Sequence, residues 1–176
     1  MKAGEVILVN TRDEELGTME KMEAHTTGSL HRAFSVFVFN TKGEMLIHRR
    51  AADKYHSAGL WTNACCSHPS PGESLQEAVK RRLMEEIGMN CKADYLFNFT
   101  YREELENNLI EHELDHVFKA ITDDIPQPNP AEISEVKYIS PENLLTDIAQ
   151  HPENYTVWFK LIVAQVIELH KEELKV

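Results

Sequence analysis

A mixed β-sheet flanked by helices, an α/β or α+β sandwich, is the fold class this sequence predicts, and three observations predict it. Short, turn-bounded strand-like runs recur along the chain, amphipathic helical patterns fall between and after them, and 42% of the 176 residues are hydrophobic against 27% charged. Strands mixed with helices in that order bury their apolar faces as layers around one core. The composition excludes disordered, collagenous and low-complexity classes. The length favours one domain over 1–176, because two would each be unusually small.

Strands are expected over 6–9, 33–39, 45–48, 94–101, 116–121 and 136–139, with NTKG at 40–43 as a hairpin turn between the second and third. The clearest helix runs over 74–87, where Leu75, Ala78, Val79, Leu83 and Ile87 recur at threes and fours and Gly88 follows as a stop. Pro141 starts a short helix through about residue 149. Trp158, Leu161, Ile162, Gln165, Val166 and Leu169 make a terminal amphipathic helix within 154–174. IPQPNP at 125–130 reads as a surface loop rather than a domain boundary. The first two dozen residues read as an extension that flexes until a ligand engages Lys21 and His25 at its end.

The formal charge of −11, from 29 acidic and 18 basic residues, repels phosphate backbones and anionic headgroups, so neither nucleic acid nor membrane is expected as a partner. No apolar run approaches the roughly 18 to 20 residues of a bilayer span, and the N-terminal stretch lacks a cleavage-site pattern. The cytoplasm is the expected location. Three cysteines, two adjacent at Cys65 and Cys66, make no disulfide framework and suit a reducing compartment. No protein partner is implied.

The segment GESLQEAVKRRLMEEIG, 72–88, places Glu73 at the helix start and Glu85 and Glu86 in the last turn, with Arg81 and Arg82 one turn earlier. Two acids in a last turn oppose the helix dipole at a cost of about a few tenths of a kcal/mol unless a cation compensates. An i,i+4 pair of Arg82 with Glu86 on a solvated face is the plain reading. Elsewhere, His25 and His31 lie in AHTTGSLHRAFS and His68 in NACCSHP, while Glu111 and Glu113 stand two apart in LIEHELDHVF. On an extended strand both carboxylates face one side and His112 the other. Three imidazoles and two carboxylates suit a six-coordinate divalent ion such as Mn²⁺, Mg²⁺ or Zn²⁺ with one position open. HELDH, with His112, Glu113 and His116, also satisfies the zinc-peptidase pattern H-E-x-x-H on a helix. Against that reading, a helix would set charged Asp115 beside the metal, and Val117, Phe118 and Ile121 fit a strand.

The 72–88 segment resembles the Nudix box, Gly-x5-Glu-x7-Arg-Glu-x-x-Glu-Glu-x-Gly, whose glutamates hold Mg²⁺ against a diphosphate in that family. Glu73, Arg81, Glu85, Glu86 and Gly88 match, while Ser67 replaces the first Gly and Arg82 the Glu after Arg. Losing a carboxylate and gaining a cation weakens a hydrolytic cluster yet still holds a diphosphate.

With HRAFSVFVFN, RRAADKYHSAGLWTNACCSHP, the altered box, FTYRE and EHE in this order, the chain resembles the type I isopentenyl-diphosphate isomerases from about Val6 to Val163. The resemblance implies a Nudix-like sandwich and interconversion of isopentenyl and dimethylallyl diphosphate. It implies Cys66 and Glu113 as the acid/base pair, Tyr101 near the reacting alkene, and Trp158 facing the cationic centre. It also implies His25, His31, His68, Glu111 and Glu113 as ligands of Mn²⁺ (or Mg²⁺ or Zn²⁺). Glu86 and the Cys66 carbonyl would hold a substrate-bound Mg²⁺, and Lys21, Arg50, Lys54 and Arg82 the diphosphate. Which of Cys66 and Glu113 donates in each direction stays open. The alternatives are a Nudix hydrolase of a nucleoside or prenyl diphosphate, and a binding module without turnover.

Overall fold

The computed structural model describes residues 4–176 and joins nine strands into one mixed sheet between helices. In chain order these are β1 (Glu5–Val9), β2 (Glu15–Glu20), α1 (Lys21–Thr27), β3 (His31–Phe39), β4 (Met45–Arg50), β5 (Trp61–Thr62) and β6 (Cys65–Ser67). They are followed by α2 (Leu75–Ile87), β7 (Asp94–Glu104), β8 (Ile110–Ile121), β9 (Ile133–Ile139), α3 (Pro141–Gln150) and α4 (Val157–Glu173).

β3 is the central strand. It runs parallel to β8 from His31↔Glu113 to Phe39↔Ile121. Its other edge pairs in turn with β1 at His31, β6 at Phe34 to Val36 and β4 at Val38 and Phe39. Alternation divides its side chains between two layers. Phe34, Val36 and Val38 pack with Val79, Leu83 and Ile87 of α2. Phe37 and Phe39 pack with Phe159, Ile162, Val163 and Val166 of α4. A strand covered on both faces reads as an unbroken apolar run, which is why 33–39 is visible in the sequence.

α2 starts where Ser74 and Glu77 form a reciprocal capping box, satisfying two otherwise orphaned N–H groups. It stops at Gly88 in the left-handed conformation, φ 66°. A side chain at Gly88 would also strike Gln127, with both its Cβ and carbonyl oxygen 2.7 Å from the position of a Cβ. Glu73 lies just before the cap, accepting from the Ser70 N–H at 2.8 Å and from Arg81 at 2.7 and 2.8 Å.

Several elements lie where sequence patterning gave no signal. β2, ELGTME, is an exposed edge strand joined to β1 through main-chain pairing. α1 is only seven residues long, capped by Glu20 accepting from the Glu23 N–H and closed by Gly28 at φ 68°. Residues 1–3 of the expected extension lie outside the described residues, and the rest of it carries β1, β2 and the start of α1, with β1 hydrogen-bonded between β2 and β3. β8 begins at Ile110, six residues before the expected strand. Its acid- and histidine-rich first half has poor strand propensity, and pairing with β7 on one side and β3 on the other holds it extended. α3 and α4 fall where Pro141 and the Trp158 to Leu169 pattern place them. Among the described residues, no helix is long and apolar enough to cross a membrane.

Candidate active site

Sheet register builds the centre of the site. Glu113 pairs with His31 of β3 on one side and with Tyr101 of β7 on the other, so the three stand in one row across three strands and project from one face. Glu111, two residues back on β8, projects from that same face. α1 brings His25 to this face, and His68 follows directly after β6. The Glu113 carboxylate lies 2.9 Å from His68 Nε2 and 3.4 Å from His31 Nε2 through Oε1, and accepts from the Tyr101 hydroxyl at 3.0 Å through Oε2. Glu111 Oε1 lies 3.5 Å from His25 Nε2 and 2.9 Å from Nε2 of His56, a residue sequence reasoning did not select.

Two of these imidazoles are oriented by main-chain carbonyls. Nδ1 of His25 lies 2.7 Å from the Lys21 oxygen and Nδ1 of His31 2.9 Å from the Ser29 oxygen. A carbonyl only accepts, so each Nδ1 carries a proton, and each Nε2 donates to a carboxylate when the ring is charged and turns a lone pair toward the cluster when it is neutral. Donor atoms of His25, His31, His68 and Glu113 all lie within 4.8 Å of one another, and so do those of His25, His56 and Glu111. His25 Nε2 is fully buried yet has no hydrogen-bond partner. An orphaned ring nitrogen amid further imidazoles and carboxylates is a donor set that fits a divalent cation.

The site's charges perturb one another. Burial would raise the Glu113 carboxyl, but the His31 hydrogen bond and the charges of His31 and His25 outweigh it and hold it down at about 2. Burial depresses His68 well below its ordinary value, and facing His31 adds to this. For His25 burial also lowers the value, but the contact with Glu111 prevails and raises it. Burial and the neighbouring Glu113 charge push the Tyr101 hydroxyl well up, so it stays a neutral donor.

Cys66 stands beside this row. The short strand β6 alternates, so Cys65 is buried in the layer under α2 while Cys66 turns to the opposite face. The Cys66 thiol donates to Asn63 Oδ1 at 2.9 Å and accepts from Trp158 Nε1–H at 3.1 Å. Asn63, fully buried, is fixed by donating to the Val36 and Cys65 carbonyls at 3.1 and 2.8 Å, which aims its oxygen at the sulfur. Burial and the nearby Asp115 push the Cys66 thiol up to about 12, so it is protonated at neutral pH. Ser35, 3.7 Å from the sulfur, donates to Asp115 at 2.7 Å.

Cys66, Tyr101, Glu111, Glu113, His68 and Trp158 line one cavity open to solvent, with His25 and His31 buried behind its wall. Lys21, Arg50, Lys54, Arg82 and Glu86 line it too. The Arg50 guanidinium lies over the Trp158 ring, 5.4 Å from its centroid, and the Lys21 ammonium over Tyr55 at 4.8 Å. Burial, with Lys54 beside it, lowers the Lys21 ammonium. Lys54 pairs with Glu132 at 2.5 Å. Arg82 pairs with Glu85 at 2.7 Å and with Glu86. Burial raises the Glu86 carboxyl despite that partner. All thirteen residues singled out from the sequence thus meet at one place. Those it missed are His56, Tyr55, Asn63, Glu132 and the Ser35–Asp115 pair; only Asn63, at fixed spacing before Cys66, carried a sequence signal.

The peptidase pattern, disfavoured from the sequence, is absent from the structure as well. β8 is a strand, so His112 and His116 face away from Glu113. His112 donates to the Gly28 carbonyl at 2.8 Å and His116 meets Asp13 at 2.9 Å.

Comparison with known proteins adds an independent line. The NUDIX domain model matches residues 29–159. The chain is 48% identical to an isopentenyl-diphosphate Delta-isomerase of Pectobacterium atrosepticum, over 94% of this chain and 93% of that one. It is 46% identical to isopentenyl-diphosphate Delta-isomerase 1 of Aromatoleum aromaticum, over 96% of both. Among solved structures, DR0079 from Deinococcus radiodurans superposes with a TM-score of 0.74 at 23% identity, covering 93% of this chain and 97% of that one. A MutT protein from Methanosarcina mazei gives 0.66 at 21% identity, covering 81% and 95%. At those identities the structural likeness speaks for the fold alone.

Proposed function

This chain belongs to the NUDIX family, and from that membership and its isomerase relatives we propose that it interconverts isopentenyl and dimethylallyl diphosphate, with Cys66 and Glu113 as its acid and base. It is an isomerase that transposes a carbon–carbon double bond. The observation that carries the assignment of roles is the convergence of Cys66, Glu113, Tyr101 and Trp158 on one cavity with Lys21, Arg50, Lys54 and Arg82.

The chemistry requires that set. One end of an unactivated alkene is protonated, a tertiary carbocation forms, and a proton two carbons away is removed, so an acid and a base must flank the substrate. Cys66 is a protonated thiol and Glu113 an ionised carboxylate in the resting site. Tyr101 holds Glu113 by its hydroxyl hydrogen bond. Trp158 presents a face that already accommodates the Arg50 guanidinium, and an aromatic face stabilises a cation by about 1 to 2 kcal/mol in a dry pocket. Excluding water keeps the carbocation from being trapped. The four cations gather against a strongly negative chain and receive the diphosphate by charge-assisted hydrogen bonds.

His25, His31, His68, Glu111 and Glu113 fit one divalent cation, Mn²⁺ or in its place Mg²⁺ or Zn²⁺. Glu86 and the Cys66 carbonyl fit a Mg²⁺ that arrives with the diphosphate. When bound, such ions supply positive charge that acidifies a proton on Glu113 and neutralises the diphosphate. Arg82 stands where the Nudix box has a carboxylate and pairs with Glu85 and Glu86, so the cluster a hydrolase needs lacks one acid, which argues against cleavage. Free thiols at Cys65, Cys66 and Cys91 suit a cytoplasmic setting.

The test follows isopentenyl diphosphate with Mg²⁺ and Mn²⁺ by proton NMR in D₂O, for wild type, Cys66→Ala and Glu113→Gln. Conversion with deuterium incorporation, at least about 100-fold slower in both variants, is the expected result. Phosphate release in place of conversion would establish a hydrolase and refute the proposal; an inert wild type would leave a binding module.

A further inference from the structure

His56 belongs to the cluster by position but differs from its neighbours in what orients its ring. The Nδ1 atoms of His25 and His31 face carbonyls, which forces the proton onto Nδ1. His56 Nδ1 instead faces the Ser57 hydroxyl at 3.2 Å. A hydroxyl can donate, and when it does the His56 proton sits on Nε2, 2.9 Å from Glu111 Oε1. Both His56 and Glu111 are 3% exposed, so each polar atom in that contact must find its partner within the protein.

The loop around His56 is held against the start of β8, the strand that carries Glu111. Ser57 adopts a left-handed backbone, φ 50°, costly for a residue with a side chain, and the Glu106 carboxylate accepts from its N–H. Asn107 donates to the Tyr55 carbonyl at 3.4 Å, and Arg50 donates to the His56 carbonyl at 3.1 Å. The strained turn is thus fixed on either side of His56, with the ring edge-on to Trp158 at 5.8 Å between centroids.

We infer that His56 is a positioning residue for the metal ligand Glu111: Ser57 Oγ–H donates to His56 Nδ1, and His56 Nε2–H donates to Glu111 Oε1, fixing the carboxylate for the cation. This rests on the divalent site proposed above. His25 cannot serve two ions with one ring nitrogen, so the overlapping donor groups around it describe one ion and an orienting partner rather than two ions.

The test is calorimetric titration of the metal-free protein with Mn²⁺ alone, with melting temperature as a check that each variant folds. His56→Ala is expected to bind Mn²⁺ about 10- to 100-fold more weakly. His56→Gln, whose amide N–H reaches the place of Nε2–H, is expected to recover affinity to within about threefold of wild type, with the Co²⁺ absorption spectrum unchanged. An Ala variant that binds as tightly as wild type would overturn the inference. So would a Gln variant as weak as Ala, since His56 would then be a ligand rather than a donor. A wild type that binds no Mn²⁺ would overturn the metal site itself.

Discussion

Replacing Trp158 by Phe separates the chemistry of that ring from its bulk. Trp158 is 4% exposed and packs in the layer shared by α4 and β3, and Phe fills most of its volume. The substitution removes the indole N–H that Cys66 accepts at 3.1 Å, worth about 1 kcal/mol for a buried hydrogen bond. Cys66 passes between thiol and thiolate in the proposed reaction, and this donor holds the thiolate more strongly than the thiol. The weaker face of Phe forfeits about 1 kcal/mol more of carbocation stabilisation. Together about 2 kcal/mol corresponds to roughly a 30-fold fall in kcat. KM should move less than kcat, because Arg50 is the one diphosphate cation described over this ring, and Phe still offers it an aromatic face. The assay is initial-rate conversion of isopentenyl diphosphate followed by NMR, alongside a melting curve. A kcat within threefold of wild type with a lowered melting temperature would refute the reasoning and make Trp158 a core residue.

Two further outcomes concern stability. Gly88→Ala combines a left-handed backbone with collision against Gln127, and should cost about 3 kcal/mol, seen as a melting temperature roughly 10 °C lower; a drop under 2 °C would contradict it. His48, buried and neutral with its value lowered from 6.5 to about 3, resists protonation that the unfolded chain accepts. Stability therefore falls as pH drops below the unfolded value, by about 2 kcal/mol between roughly pH 7 and 5. In denaturant titrations at both pH values, His48→Asn should remove that share of the slope; an unchanged slope would assign the pH dependence elsewhere.

The parts of the fold legible in the sequence are those where burial writes a period into it. β3 shows as an apolar run because α2 and α4 cover both of its faces, and α2 shows through its threes and fours and Gly88. β2 and the first half of β8 do not, because neighbouring backbone rather than apolar alternation holds them extended. In β8 the positions that would have advertised a strand hold the site carboxylates Glu111 and Glu113 and two histidines, His112 and His116, that face the other side. The site residues that could be picked out sit at fixed spacing in short motifs around Cys66, Glu111 and Arg82. His56 and Tyr55 could not, since their roles come from a loop folded against β8 and leave no periodic trace. Sequence spacing placed Glu111 and Glu113 on one side of a strand; only the register brought His31 and Tyr101 to the same row.

That row sets how the site can change. A residue inserted within the first half of β8 would turn Glu111 and Glu113 to the opposite side of the sheet and put His112 in their place. Two inserted residues would restore the facing but move each carboxylate one step along, away from His31 and Tyr101. Length variation can therefore accumulate in the exposed turn at 40–43, while the centre tolerates exchange of side chains but no change in count. Lineages of this molecule would diversify around an invariant spacing, as a gear train permits new teeth but not a new pitch.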